Sequence, residues 1–251
     1  AQIYYVTALG NDHYSDLMLA DWQQENINTQ FIVRLANKLP GLYFIRNDEK
    51  GERYFYFYRD QSAAKELFKG DHTESLCDQL IKMDYLYLSA ISLAILDTTS
   101  RELLLSVLKK AKQHGAQIIF DTNYRPRLWT DLETTKQTIQ TFAPYIDIIL
   151  PTFSDEQAMF NDVSPQNCAK RYHDWGIKEV VIKCDTNPCL VSTTEKQTLV
   201  PAEKVNRIVD TTAAGDSFNA AYLAARLQNI APAAAAEYGH KLASVVIQHK
   251  G

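Results

Sequence analysis

One stretch of the sequence could do chemistry: Asp210-Thr211-Thr212-Ala213-Ala214-Gly215-Asp216-Ser217-Phe218-Asn219-Ala220-Ala221-Tyr222-Leu223, where small residues run directly into a helix. A helix's first turn leaves amide groups without partners, and the helix dipole adds positive character there, so the mouth attracts anions. Ala213, Ala214 and Gly215 carry too little side chain to block a phosphate. Asp216, at the edge of that mouth, could accept a proton from an attacking hydroxyl while the amides stabilise charge on a moving phosphoryl group. The same residues also fit a structural role, with Asp216 capping the helix and Ala213 to Gly215 forming a close-packed turn. Taken alone, this stretch leaves both readings open.

Other chemistries lack their residues. The nine glycines are never closer than ten positions apart, which excludes a Walker-type loop and the dinucleotide fingerprint. The six histidines include no i, i+4 metal-binding pair. Cys77, Cys168, Cys184 and Cys189 show no two-residue gap of a zinc site or redox dithiol and read as inert core thiols. Sparse cysteine, with no basic stretch and apolar segment opening the chain, leads us to expect a reducing, cytoplasmic location. With 26 basic against 30 acidic side chains the net charge is −4, and the cations are dispersed, so no nucleic-acid partner is expected. No apolar run approaches the roughly 20 residues needed to cross a bilayer, so no membrane partner is expected either.

The elements that must position the phosphate mouth follow from periodicity. With 46% hydrophobic and 22% charged residues, the 251-residue chain can bury a substantial core. Short apolar runs alternate with amphipathic stretches, which predicts β-α repeats on a largely parallel sheet. Strands are expected at Ile3–Val6, Tyr85–Leu88, Gln117–Phe120, Ile146–Leu150 and Glu179–Lys183. A helix is expected over Asp97–His114, with Thr98, Thr99 and Ser100 offering capping oxygens and Leu103, Leu104, Val107 and Leu108 forming its apolar stripe. Another is expected over Ala231–Lys250, with Pro232 in its first turn. Within residues 31–59, Leu42–Arg46 and Arg53–Arg59 flank the polar turn Asn47-Asp48-Glu49-Lys50-Gly51 and read as a hairpin. Strand alternation puts Arg53, Phe55, Phe57 and Arg59 on one face and Tyr54, Tyr56 and Tyr58 on the other. Aromatic residues on both faces point to a small sheet that covers a ligand pocket or a partner subunit, with an ordinary meander within the core as the alternative. The expected organisation is a single α/β domain over 1–251 with a β insertion at about 31–59.

The 210–223 stretch resembles the C-terminal signature of the ribokinase-like (PfkB) carbohydrate kinases, Asp-Thr-x-Gly-Ala-Gly-Asp followed by a helix. Further stretches resemble one branch of that family, the 2-keto-3-deoxygluconate kinases: Leu39-Pro40-Gly41-Leu42-Tyr43, Tyr56-Phe57-Tyr58-Arg59, Tyr87-Leu88-Ser89-Ala90-Ile91-Ser92, Phe120-Asp121-Thr122-Asn123-Tyr124-Arg125-Pro126-Arg127-Leu128-Trp129 and Ser244-Val245-Val246-Ile247-Gln248. The resemblance implies a three-layer α/β sandwich with a mostly parallel central sheet and a small β lid. It implies ATP and Mg2+ as cofactors and a small sugar acid as substrate, while the aromatic hairpin itself points to a homodimer through the lid. The resemblance also implies that the family's first strands and its Gly-Gly-Asn/Asp sugar motif lie outside the 1–251 stretch.

Carried over by residue, the resemblance makes Asp216 the catalytic base and Ala213, Ala214 and Gly215 the anion hole. Lys183 falls near the nucleotide phosphates, with Asn123 and Tyr124 beside the nucleotide. Arg125 matches an arginine that reaches both substrate and phosphate. Tyr43, Phe57 and Arg59 match residues that hold the sugar acid, and a guanidinium suits that task because its planar fork can pair with a carboxylate through two bonds. Thr152-Phe153-Ser154-Asp155 stands for the family's magnesium-associated Asn-x-x-Glu, making Asp155 the expected metal residue. Ala213 and Asp185 stand where relatives often have glycine, and Phe57 where sugar-acid kinases tend to have tyrosine. The alternatives are a kinase for a neutral sugar or nucleoside, and a sugar-acid-binding relative without activity.

Overall fold

The computed structural model describes residues 2–47 and 53–250, excluding the side chains of Asn47, Arg53 and Phe55. Most of the turn expected over Asn47–Gly51, and the facing of Arg53 and Phe55, therefore fall outside the described residues. By contact density the chain divides into two units, residues 1–82 with 95–107, and residues 83–94 with 108–251.

The first unit opens with β1 (Thr7–Gly10), α1 (His13–Gln24) and β2 (Ile32–Leu35), and β2 pairs parallel to β1. The strand expected at Ile3–Val6 is displaced: there, Tyr4 makes only an isolated bridge to Asn28, and Ile3 and Tyr5 are exposed. The chain's buried residues begin two positions later with Ala8 and Leu9, so burial outweighs the aromatic content that suggested the earlier start. Gly10 closes β1 where a Cβ would lie 1.7 Å from the Lys38 carbonyl oxygen, a backbone approach only glycine allows. Asp12 caps α1 by accepting the Tyr14 and Ser15 amides.

The hairpin forms as expected from β3 (Leu42–Asn47) and β4 (Arg53–Tyr58), antiparallel, with Tyr43 opposite Phe57 and Phe44 opposite Tyr56. It makes a two-stranded sheet of its own. Leu42, Phe44, Tyr54, Tyr56 and Tyr58 are exposed on one face, and Tyr43, Ile45 and Phe57 on the other. The unit is completed by α2 (Thr73–Leu80), which buries Leu76, Cys77 and Leu80.

The second unit is built on β5 (Tyr85–Ser89), from which the chain continues into α3 (Ala90–Ile95); α4 (Thr98–Gln113) follows, with residues 98–107 counted in the first unit and its remainder in the second. Asp97 rather than Thr98, Thr99 or Ser100 supplies the capping oxygen of α4, accepting the Ser100 amide at 2.9 Å. Leu104, Val107, Leu108 and Ala111 form its buried stripe. There follow β6 (Gln117–Asp121), α5 (Leu132–Phe142), β7 (Ile148–Ile149), α6 (Phe153–Phe160), α7 (Pro165–Asp174), β8 (Glu179–Ile182), β9 (Cys189–Thr193), β10 (Gln197–Val200), α8 (Ala214–Arg226) and α9 (Pro232–Val246).

One sheet orders these strands β10-β9-β8-β7-β6-β5. β5 to β8 run parallel, while β9 is antiparallel to both its neighbours. The expected run Ile146–Leu150 shortens to the β7 pair, because Pro151 follows and its carbonyl is taken by the Lys183 amide. β9 and β10 carry no strong pattern of their own. They are turned back by Thr193, whose Oγ1 accepts the amides of Glu195 and Lys196.

α8 and α9 pack on this sheet around Ile119, Leu150, Val181, Val191, Phe218, Tyr222, Ala235 and Ala236. Phe218 stacks on Tyr222 and meets His240 edge-on, and Gly239 leaves no room for a Cβ beside the Phe218 ring. At the far end of α8, Tyr222 and Arg226 both bond Glu179, at the start of β8. α8 therefore runs against β8, and its N-terminus meets the end of that strand.

Candidate functional site

Strands β5, β6 and β8 all end at one edge of the sheet, where a parallel α/β sheet places ligands. Lys183 directly follows the fully buried run Val180, Val181 and Ile182. Its backbone is pinned on both sides: its amide bonds Pro151 and its carbonyl accepts the Phe153 amide, each at 2.8 Å. The ammonium is buried, donating to Asn219 Oδ1 at 2.9 Å and lying 3.5 Å from Asp121 Oδ1. Burial lowers the Lys183 pKa, against the opposing attraction of Asp121, Asp216 and Asp155.

The helix mouth is made by a turn that the sequence fixes locally. The Thr212 amide donates to Asp210 Oδ1 at 2.9 Å, and Val209 and Asp210 donate their amides to the Ile247 carbonyl. Ala213 then adopts a left-handed conformation (φ 60°, ψ 10°) as the residue before α8, without any side-chain cap. Asp216 is thus not the helix cap. Its carboxylate is exposed and makes no hydrogen bond among the described residues, leaving it available to a hydroxyl. Of the expected anion-hole residues, Ala214 directs its amide to the Thr211 carbonyl at 3.3 Å. The amides of Ala213, Gly215 and Asp216 have no acceptor among the described residues. A Cβ placed on Gly215 would be 3.9 Å from Lys183 Nζ, so the ammonium stands beside the open amides. Bare donors, a cation and a disengaged carboxylate meet at one point, an arrangement suited to moving an anionic group onto an alcohol.

Asp155, in the first turn of α6, belongs to the same cluster. Its Oδ2 accepts the Tyr124 amide at 3.2 Å. Burial raises its pKa, and Arg125 and Lys183 oppose that rise. Asn123 holds a strained backbone (φ 22°) and donates its amide to Asp121 Oδ1 at 3.3 Å. Tyr124 is buried, and its backbone amide is what it is seen to give to the cluster. Arg125 is exposed and spends one nitrogen on the Tyr124 carbonyl at 2.9 Å, leaving the rest of its fork to a ligand.

In the first unit, Tyr43, Phe57 and Arg59 come together on the hairpin. The Arg59 guanidinium lies 4.2 Å over the Phe57 ring, whose centroid is 6.0 Å from that of Tyr43. Three polar residues of the second unit did not stand out in the sequence: Asp121, Asn219 and Tyr87. Asn219 Nδ2 donates to Asp121 Oδ2 at 3.0 Å and to the Tyr87 hydroxyl at 3.2 Å. The signal was there for Asp121, a carboxylate ending an otherwise buried strand.

A second acidic group, Glu156, Asp162 and Cys168, has the spacing of a metal site among the described residues. Arg171 already fills it, 2.7 Å from Glu156 and 2.5 Å from Asp162, with its guanidinium against the rings of Phe160, Tyr172 and Trp175. It is a structural ion cluster.

The sequence profile of the pfkB family carbohydrate kinases matches residues 1–251. The chain belongs to that family. This pfkB chain is 46% identical over 252 residues to a 2-dehydro-3-deoxygluconokinase of Escherichia coli (strain K12), covering 99% of this chain and 82% of the relative. Among solved structures it is similar to a 2-dehydro-3-deoxygluconokinase of Thermotoga maritima (TM-score 0.85, 20% identity, 100% of this chain and 79% of that one). It is also similar to a candidate ribokinase II of Escherichia coli solved with ATP and Mg2+ (TM-score 0.86, 20% identity, 100% and 78%). The fold is thus the ribokinase-like α/β fold expected from the signature. No helix among the described residues is long and apolar enough to cross a membrane.

Proposed function

We propose that this pfkB chain transfers the terminal phosphoryl group of ATP to the 6-hydroxyl of 2-keto-3-deoxygluconate, the sugar acid also called 2-dehydro-3-deoxygluconate. The substrate reading rests on the 46% identity to the Escherichia coli enzyme of that name. The chemistry rests on one observation: the unengaged Asp216 carboxylate at a helix mouth whose Gly215 lies beside the Lys183 ammonium.

In this reading Asp216 takes the proton of the attacking hydroxyl. The open amides of Ala213 and Gly215, with Lys183, hold the transferring phosphoryl oxygens, so the protein contributes positioning and charge stabilisation. Ala214 shapes the turn rather than donating to the phosphate. Asn123, Tyr124 and Arg125 border the nucleotide, and Arg125 also reaches the substrate. Tyr43, Phe57 and Arg59 hold the sugar acid, with the arginine fork suited to its carboxylate. Magnesium, which binds through one or two carboxylates and substrate phosphates, neutralises phosphate charge when bound. Asp155 fits it, because Oδ1 is not engaged and a cation would relieve the burial that raises this carboxyl. The exposed hairpin face bearing Phe44, Tyr56 and Tyr58 supports a homodimer through the lid.

The test is a substrate panel read as ADP release. 2-Keto-3-deoxygluconate should have the highest kcat/KM, and preference for fructose or ribose would refute the sugar-acid reading.

A further inference from the structure

Asn219 lies one helical turn beyond Asp216, on the second turn of α8, so base and amide share a face of that helix. Its side chain is buried and makes three hydrogen bonds, to Lys183, Asp121 and the Tyr87 hydroxyl. These partners permit only one orientation of the amide. Reversed, it would turn its NH2 group against an ammonium and its oxygen against a carboxylate. Tyr87 closes the network from β5, its hydroxyl 3.4 Å from Asp121 Oδ2. Lysine otherwise has several rotatable bonds and a diffuse choice of positions. Here its ammonium is held between two acceptors from two different elements, β6 and α8, next to Gly215.

We infer that Asn219, with Asp121 and Tyr87 behind it, is the positioning residue that locks the Lys183 ammonium at the helix mouth and ties it to the helix that carries the base. The inference rests on the proposed kinase reading and adds to it a residue that acts only through Lys183. Because Asn219 sits on the same helix as Asp216, its bond to the ammonium refers cation and carboxylate to one element. Asp121 alone would leave the ammonium free to lean away from α8, since its contact is the longer of the two.

A double-mutant cycle on the intact protein tests this: wild type, Asn219→Leu, Lys183→Met and the double variant, assayed on the best substrate of the panel. Each single variant should lower kcat by roughly tenfold or more while the sugar KM stays within about threefold, and the double variant should be no slower than Lys183→Met alone, as non-additivity within one interacting unit requires. Multiplying losses in the double variant, or an unchanged kcat in Asn219→Leu, would overturn the inference. An unchanged kcat in Lys183→Met would overturn both the role of that lysine and the inference built on it. A wild type that phosphorylates no sugar in the panel would overturn the kinase reading and the inference together. Folding is checked by circular dichroism and melting. If Asn219→Leu does not fold, Asn219→Ser, which retains a hydroxyl, should show a smaller loss of kcat that again disappears in the Lys183→Met background.

Discussion

Ala213 offers a sharp test of the local backbone argument, because it holds φ 60° and ψ 10° at the mouth of α8. A side chain with a Cβ in the left-handed region costs about 1–2 kcal/mol. Ala213→Gly removes that strain but gains about 0.5–1 kcal/mol of unfolded-state entropy, leaving a net stabilisation between about 0 and 1.5 kcal/mol, centred on about 0.5–1 kcal/mol. In a chain of this size 1 kcal/mol moves the melting midpoint by about 2–4 °C, so Tm should rise by about 1–4 °C. Ala220 is the control, an exposed residue in regular helix within α8. Ala220→Gly should cost about 1 kcal/mol and lower Tm by about 2–4 °C. Urea unfolding with unchanged slope would show that both effects are on stability itself. Two glycine substitutions seven residues apart should thus act with opposite sign. A loss of stability in Ala213→Gly, or the same sign at both sites, would refute the reasoning.

Two further outcomes follow from the packing. Arg226→Met leaves the Glu179 carboxylate, with a side chain only 10% exposed, without its cation, and should cost about 2–3 kcal/mol in urea unfolding, somewhat less than a fully buried pair because the arginine is itself partly exposed. Asp97 caps α4 and pairs with Lys69, and these contacts lower its pKa to about 2. A carboxylate depressed on folding contributes stability above its unfolded pKa and loses it as pH falls through the folded value. Asp97→Ala should therefore cost about 1 kcal/mol near pH 6, a cap's typical worth, and only about 0.4 kcal/mol at pH 2, where the folded carboxyl is half protonated, measured as urea midpoints across that range.

The sequence was most legible where one signal dominated. Runs such as Ile118, Ile119 and Phe120, or Val180, Val181 and Ile182, are apolar on both faces and became the buried parallel strands. The hairpin was readable from alternation around a polar turn. Ile3–Val6 misled because β-branched and aromatic content resembles a strand, whereas the pairing partner β2 lines up with Thr7–Gly10 instead. β9 and β10 were not readable as a pair, since their antiparallel contact depends on a turn made by the Thr193 hydroxyl rather than by glycine. Within the site, Asp216 was visible because small residues run into the helix it opens, whereas Lys183 was visible only through the family resemblance. Asn219 was not, since an asparagine one turn into an alanine-rich helix gains meaning only when a lysine and an aspartate from distant strands meet it. Ala214 shows what side-chain size alone cannot tell: its small side chain fits an anion hole, while in this structure its amide bonds the Thr211 carbonyl.

The most direct measurement compares Asp216→Asn with the wild type in single-turnover phosphorylation of 2-keto-3-deoxygluconate, alongside calorimetric binding of that sugar. The substitution keeps the shape of the side chain and removes its ability to take a proton. Sugar affinity should stay within about threefold while the chemical step slows at least about 100-fold, the low end for a lost general base. A variant that transfers phosphate at close to the wild-type rate would contradict the account.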